Sequence, residues 1–302
     1  MHYQHLMDTA VALGCRVTEN APMAQATTFR IGGPADLLID LPGTAAGPIL
    51  TLCQEENIPY LFIGNGSNLL VGDKGIRGAV LRLLDDGADP ILLEDNRIYA
   101  PAGMQLKRLC LFAREQSLTG LEFAFGIPGT VGGALYMNAG AYGGEMVNVV
   151  ESADCIWANG EKRTLSAEEL ALGYRHSALM ENDGIVLGVT LRLTPGDYDT
   201  IAATMKDLMG RRREKQPLEY PSAGSFFKRP EGYFAGKLIQ DAGLKGFAVG
   251  DAQISEKHAG FVVNRGNATA ADMVELCRRV QEKIMETDGV LLEPEVRFIG
   301  EF

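Results

Sequence analysis

Gly126-Ile127-Pro128-Gly129-Thr130-Val131-Gly132-Gly133-Ala134, continued by Met137-Asn138-Ala139-Gly140-Ala141-Tyr142-Gly143-Gly144-Glu145, packs more small residues together than any other window of the chain. Glycine is costly in a regular element because it loses so much backbone freedom on folding. A stretch that keeps this many needs left-handed torsions, or close approach of its backbone to something flat or anionic. Flexible linkers are built from Gly with Ser or charge. This run instead interleaves Gly with Ile127, Val131, Leu135, Tyr136, Met137 and Tyr142, side chains that belong in a core. The reading is a rigid, glycine-lined wall facing a large bound ligand.

Upstream, Tyr60-Leu61-Phe62-Ile63 is a continuous apolar run and predicts a buried strand. It leads into Gly64-Asn65-Gly66-Ser67-Asn68, whose successive N–H groups and short polar side chains suit a pyrophosphate. No Gly-Lys-Ser/Thr follows, so this is not a Walker A loop. The third glycine of the dinucleotide fingerprint is also missing. Alone, the turn is equally an ordinary strand end; paired with the wall, it supplies phosphate binding beside a surface for the rest of a dinucleotide. Thr27 to Gly33 and Ala35 to Leu41 predict a strand pair, Thr44 to Asn57 a helix, and Gly78 to Leu84 another strand. This order argues for a small α/β unit of parallel or mixed pairing. Residues 1–20 predict a peripheral amphipathic helix ending near Gly14.

Downstream, short strands at Ile91–Leu93, Ile98–Ala100, Val149–Trp157 and Ile185–Leu193 surround a helix at Met104–Gln116 and the wall itself. Asp197–Arg213 reads as a helix and Gln216–Ser222 as an extended hinge. Helices at Gly232–Ala242 and Ala270–Thr287, a strand at Phe261–Val263 and a terminal strand Val290–Phe298, interrupted by Pro294, follow. Divisions at 1–20, 21–85, 86–205 and 206–302 are expected, the last strand (290–302) packing back.

The 302 residues carry a formal net charge of -11 and 46% hydrophobic residues. Length allows two or three domains. Acidity argues against a nucleic-acid partner, since counterion release needs clustered Lys and Arg. Five scattered cysteines without a Cys-x-x-Cys pair fit reduced thiols in a cytoplasm. Four histidines at no ligand spacing predict no metal. No run is long enough for a membrane span, and Val11–Cys15 lacks the flanks of a signal sequence.

Three later segments carry chemistry. Arg175, in Gly173-Tyr174-Arg175-His176-Ser177, sits between an acidic helix and an apolar strand, where a guanidinium can be aimed at a carboxylate. Ser225, in Gly224-Ser225-Phe226-Phe227-Lys228, is framed by a glycine and two aromatics that would exclude water; it is either a hydroxyl bonded to backbone or a reactive one. Glu295, in Leu292-Glu293-Pro294-Glu295-Val296-Arg297-Phe298, lies in an apolar strand. It either pairs with Arg297 or has a raised pKa.

Taken together and in this order, these motifs resemble the UDP-N-acetylenolpyruvoylglucosamine reductase family, over roughly Thr28 to Phe302, with Thr28-Phe29-Arg30-Ile31-Gly32-Gly33 and Glu293-Pro294-Glu295-Val296-Arg297 included. The resemblance implies an α+β fold: a two-subdomain FAD-binding domain, like that of vanillyl-alcohol oxidase, and a smaller α+β substrate-binding domain. It implies noncovalent FAD, NADPH as reductant, and reduction of UDP-N-acetylglucosamine enolpyruvate in peptidoglycan precursor synthesis by a cytoplasmic monomer or weak oligomer. The cofactor is expected along Ile63, Gly64, Asn65, Gly66, Ser67, Asn68 and Leu69, along Gly126, Ile127, Pro128, Gly129, Thr130, Gly132, Gly133 and Ala134, and along Asn138, Ala139, Gly140, Ala141 and Gly144. Ser225 would protonate the substrate carbon while Arg175 and Glu295 stabilise the enolate-like species. Tyr142, Lys215, Lys228, Lys245, His258 and Arg297 match places near the substrate. The chain resembles the form without an extra tyrosine-bearing loop. Another FAD oxidoreductase of the same fold, or a silent nucleotide-sugar or flavin binder, is the alternative.

Overall fold

The computed structural model describes residues 3–302. Met1 and His2, the start of the expected N-terminal helix, lie outside the described residues. A four-stranded sheet runs in the order Arg16–Pro22, Pro34–Leu41, Ile76–Leu83, Tyr60–Ile63. Its last pair is parallel, with Tyr60 opposite Ala79 and Ile63 opposite Arg82. A five-stranded antiparallel sheet follows the order Lys162–Ser166, Val150–Ile156, Ile185–Arg192, Arg97–Pro101, Ile91–Leu92.

The chain divides into two compact units. The first contains the described residues up to Thr18, then Leu37–Asn65 and Gly78–Arg211. The second contains Glu19–Asp36, Gly66–Arg77 and Arg212–Phe302. Sequence-adjacent motifs therefore separate: Gly64 and Asn65 fall in the first, Gly66 to Asn68 in the second.

The first unit has two cores. In one, the helix Ala46–Glu55 buries Ala46, Ile49, Leu50 and Cys53, one face at helical spacing, against Leu37, Ile39, Leu41, Ala79 and Leu81. The N-terminal helix Gln4–Ala12 joins this core through Leu6 and Ala10. It is not peripheral, because full burial of Leu6 alone contributes about 1.5–3 kcal/mol. Asp40 is buried here and bonded by Arg82 Nε at 2.6 Å and Arg16 Nη2 at 2.5 Å. Burial opposes its ionisation, but the two guanidinium bonds outweigh that and hold its carboxyl below the usual range. The second core packs the helices Leu106–Glu115 and Val131–Tyr136 on the five-stranded sheet through Leu106, Leu109, Val131, Leu135, Val189 and Leu191.

In the second unit, the helices Ala235–Asp241 and Ala270–Asp288 pack with a small antiparallel sheet, Ala248–Val249, Ala252–Ile254 and Val262–Asn264. The longer helix starts in a capping box between Thr269 and Asp272 and ends at Gly289 with φ 68°. Asp73 accepts from the amides of Ala270 and Ala271 at 2.8 and 2.9 Å, tying the turn after Leu69–Val71 to that helix start.

Two strand expectations fail. Thr27–Gly33 is no strand: positive φ at Arg30 (55°) and Gly32 (139°) breaks the extended run, although Phe29 and Ile31 are both buried. The sheet strand is instead the polar Arg16–Pro22. The terminal segment forms a strand only at Arg297–Ile299, parallel to Leu69–Val71, because Pro294 can make only an isolated bridge to Phe227.

Candidate active site

Within the first unit, the strand-end turn and the glycine wall meet. The wall is not all loop: Val131–Tyr136 is a short helix capped by Thr130, whose Oγ1 accepts from Gly133 N at 3.2 Å. Its other leading amides are also committed, Val131 N to Met104 O and Gly132 N to Ala102 O, both at 2.9 Å. The start of this helix therefore offers a small-residue surface rather than donors. Gly64 packs on it: a Cβ there would lie 2.7 Å from Thr130 Oγ1. Asn65 Nδ2 reaches Pro128 O at 3.4 Å.

The glycines divide into two kinds. A Cβ on Gly132 would stand 2.9 Å from Ala102 Cβ, and one on Gly144 would enter the Phe123 ring. These positions are glycine because the protein's own atoms press on them, which differs from the expected approach to a ligand. Gly133 is the other kind: its Cβ would meet only Thr130 Oγ1, at 3.2 Å. That leaves an open face on the helix for a ligand.

Beyond the helix, Gly140–Ala141 and Gly144–Glu145 form a hairpin. Its two loop residues, Tyr142 (φ 55°) and Gly143 (φ 87°), are both left-handed, as a type I′ turn requires. Arg175 occupies a second tight turn, closed by reciprocal bonds between Gly173 and His176 at 3.1 and 3.2 Å, and its φ is 53°. Its Nη2 reaches Gly140 O at 3.4 Å and its guanidinium lies 5.1 Å from the Tyr174 ring centroid. Asn138, buried and at φ 41°, joins the two turns: Nδ2 donates to Gly173 O (2.8 Å) and Glu145 Oε2 (3.1 Å), and Oδ1 accepts from Val147 N (2.9 Å). Both polar atoms of the Asn138 side-chain amide are thus engaged by protein.

Within the second unit, Ser225 and Glu295 flank one residue. Phe226 donates its N–H to Gly260 O at 2.9 Å and accepts from Glu295 N at 2.8 Å, while Ser225 bridges Phe261. Ser225 is exposed rather than shielded, because the Phe226 and Phe227 rings turn into the core against Phe29 and Phe298. Glu295 is half-buried. Asn68, expected at the phosphate, holds this strand: its Nδ2 donates to Glu295 O at 3.1 Å and its O accepts from Arg297 N at 3.0 Å. Lys228 pairs with Glu293 at 3.2 Å; Lys215, Lys245 and Arg297 are exposed. His258 Nδ1 accepts from Gly260 N at 3.1 Å, which requires the neutral ring there. Burial, with the Lys245 charge adding to it, lowers the His258 pKa below its ordinary 6.5.

All five cysteines are free and buried, and burial pushes the thiols of Cys53, Cys155 and Cys277 up to about 12, leaving them poor nucleophiles. Among the described residues no cluster of three or more His, Cys, Asp or Glu could hold a metal, and no helix is long and apolar enough to cross a membrane.

A mixed α+β chain with a glycine wall beside a strand-end turn, and a separate unit presenting Ser and Glu, belongs to the FAD-binding class of oxidoreductase. Residues 47–166 match the FAD binding domain family model. Residues 216–299 match the model of the UDP-N-acetylenolpyruvoylglucosamine reductase C-terminal domain. The reductase of that name from Agathobacter rectalis is 52% identical over 295 residues, 94% of each chain. That from Clostridium botulinum is 54% identical over 282 residues, 93% of this chain and 91% of its own. The crystal structure of the Thermus caldophilus enzyme superposes with a TM-score of 0.79 at 38% identity, covering 94% of this chain and 98% of that one. The chain belongs to the UDP-N-acetylenolpyruvoylglucosamine reductase family.

The residues present fit a flavin dinucleotide. In the first unit, Gly133 leaves a face that a side chain would fill. In the second, the amides of Gly66 and Ser67 donate to no acceptor among the described residues. Beside them, the Thr28 hydroxyl is buried without a hydrogen-bond partner, and Thr28 N is held to Gly66 O at 3.2 Å. Buried donors left unmade are costly and mark places where a ligand or water completes the bonding. Thr28 escaped the reading of the sequence because its hydroxyl type gives no sign of where it is buried.

Proposed function

We propose that this chain reduces UDP-N-acetylglucosamine enolpyruvate to UDP-N-acetylmuramate, a cytoplasmic step of peptidoglycan precursor synthesis, with FAD as cofactor and NADPH as reductant. When bound along the Gly64–Asn68 turn and the glycine wall, FAD would supply the hydride chemistry between NADPH and the enolpyruvyl methylene carbon. Negative charge then develops at the neighbouring carbon and its carboxylate. Arg175 and Glu295 are the residues assigned to stabilise that charge. Ser225 gives its proton to the carbon, a transfer a hydroxyl makes only to a strong base beside it. One NADPH is oxidised, and one hydride and one proton add across the double bond. Tyr142, Lys215, Lys228, Lys245, His258 and Arg297 are assigned to the substrate's diphosphate and carboxylate ends.

The observation that carries the reading is the fixing of Ser225 and Glu295 to the same residue, Phe226, inside the segment matching that family's C-terminal model. An exposed serine is open to a substrate that arrives from solvent. The test is Ser225→Ala, studied anaerobically by half-reaction. Bleaching of the flavin by NADPH should proceed as in the parent, and reoxidation by the enolpyruvyl substrate should stop. Turnover at the parental rate would remove Ser225 from the proton transfer.

A further inference from the structure

We infer that Asn138 is the positioning residue that sets the Arg175 guanidinium. The inference rests on the reading that Arg175 meets the substrate, and it goes further by naming what fixes that side chain.

Arg175 stands in a left-handed conformation, at φ 53°. For a non-glycine residue this costs about 1–2 kcal/mol, so something must hold the turn. The closing bonds of the turn, Gly173 to His176 and back, fix its two ends against each other but not its placement. Placement comes from Gly173 O, the one closing atom that also accepts from outside the turn, at 2.8 Å from Asn138 Nδ2. The second Nδ2 donor goes to Glu145 Oε2, on the hairpin whose Gly140 O receives Arg175 Nη2. Asn138 thus bonds both pieces between which the guanidinium is stretched. Its own φ of 41° is one that Asn tolerates better than other side chains, because its short amide bonds locally. The bond from Arg175 Nη2 to Gly140 O crosses the same gap, and the Asn138 bonds hold the two pieces together independently of the guanidinium.

The test is a double-mutant cycle on the flavin-loaded enzyme. Asn138→Gly keeps the left-handed backbone and deletes the strut. Asn138→Asp keeps the shape and turns a donor facing Gly173 O into an acceptor, so it carries the same cycle if the glycine variant does not fold. Flavin content and thermal midpoint are read first. The rate of flavin reoxidation by substrate should fall about 100-fold in either variant, the order expected for a misplaced catalytic group. In the Arg175→Ala background the same changes should do nothing more, and kcat rather than KM should carry the loss. If Arg175→Ala is slow and the Asn138 loss multiplies on top of it, the positioning role is overturned while the role of Arg175 stands. If Arg175→Ala reoxidises at the parental rate, the reading of Arg175 falls, and this inference with it.

Discussion

Gly132 and Gly133 are adjacent in one short helix, yet the structure assigns them opposite reasons for being glycine. Adding a methyl to each separates the two. In Gly132→Ala the new Cβ lies 2.9 Å from Ala102 Cβ and 3.3 Å from Ala102 O, a strand end that cannot swing away. Overpacking of this kind costs about 1–3 kcal/mol, offset by at most about 1 kcal/mol of helix propensity. In Gly133→Ala the only neighbour is Thr130 Oγ1 at 3.2 Å, a hydroxyl that can shift by a few tenths of an ångström while keeping its cap bond. The apo-protein should then be unchanged, or stabilised by up to about 1 kcal/mol. For a unit of this size each kcal/mol moves the midpoint by about 2–4 °C. Trp157 is the chain's single tryptophan and lies in the first unit, so its fluorescence reports that unit's unfolding. FAD affinity, from quenching of flavin fluorescence, should move the other way: Gly133→Ala should bind about fivefold or more weakly, from the ~1–3 kcal/mol cost of a methyl pressed into a filled contact. Parental FAD affinity in Gly133→Ala would refute the cradle. An apo-protein destabilised as much as Gly132→Ala would refute the open face.

Two further outcomes are expected. Thr28→Val removes an unpartnered buried hydroxyl without changing size, so the apo-protein should hold or gain stability while FAD binding weakens about fivefold, the loss of one hydrogen bond of ~1 kcal/mol; unchanged affinity in the same titration would take Thr28 out of the cradle. His258 has a folded pKa below its ordinary 6.5, so the unfolded chain binds the proton first on acidification. Its contribution is present above 6.5 and lost as pH falls through the lower folded value; in His258→Asn, whose Oδ1 can accept from Gly260 N without titrating, the thermal midpoint should fall less steeply in that window, and parallel curves would count against the assignment.

The helices at Ala46–Glu55, Leu106–Glu115 and Ala270–Asp288 were legible because one apolar face recurs at helical spacing, and the last also carries a capping box and a terminal glycine. Tyr60–Ile63 was legible as an apolar run. Three elements were not, each because a local signal pointed elsewhere. Arg16–Pro22 is a sheet-edge strand with mostly exposed side chains, so no alternation betrays it. Val131–Tyr136 hides behind two glycines, which lower helix propensity by about 1 kcal/mol each; its first amides donate to the carbonyls of Met104 and Ala102, partners a local window does not include. Thr27–Gly33 alternates apolar and polar as a strand would, but buries Phe29 and Ile31 through two left-handed residues instead.

The site was legible by residue type and not by bonding. Arg, Ser and Glu announce chemistry wherever they stand, whereas an asparagine in a glycine motif gives no sign of what its amide will hold. Asn68 and Asn138 were both read as cofactor contacts, and in the structure the side-chain amide of each also binds a backbone carbonyl of a later segment. Asn138 Nδ2 binds the carbonyl of Gly173, two residues before Arg175, and Asn68 Nδ2 binds the carbonyl of Glu295 itself. In each unit, then, a motif assigned to the cofactor also carries one amide that fixes the backbone of a charged residue assigned to the substrate. An amide can do this where a longer or charged side chain cannot: it donates to a carbonyl without introducing charge, and its short reach leaves little rotational freedom to lose. The consequence is chemical. Loss of the Asn138 or Asn68 amide should disturb the placement of Arg175 or Glu295 and slow the transfer to substrate, whereas Gly133→Ala should weaken FAD binding and leave those backbones in place.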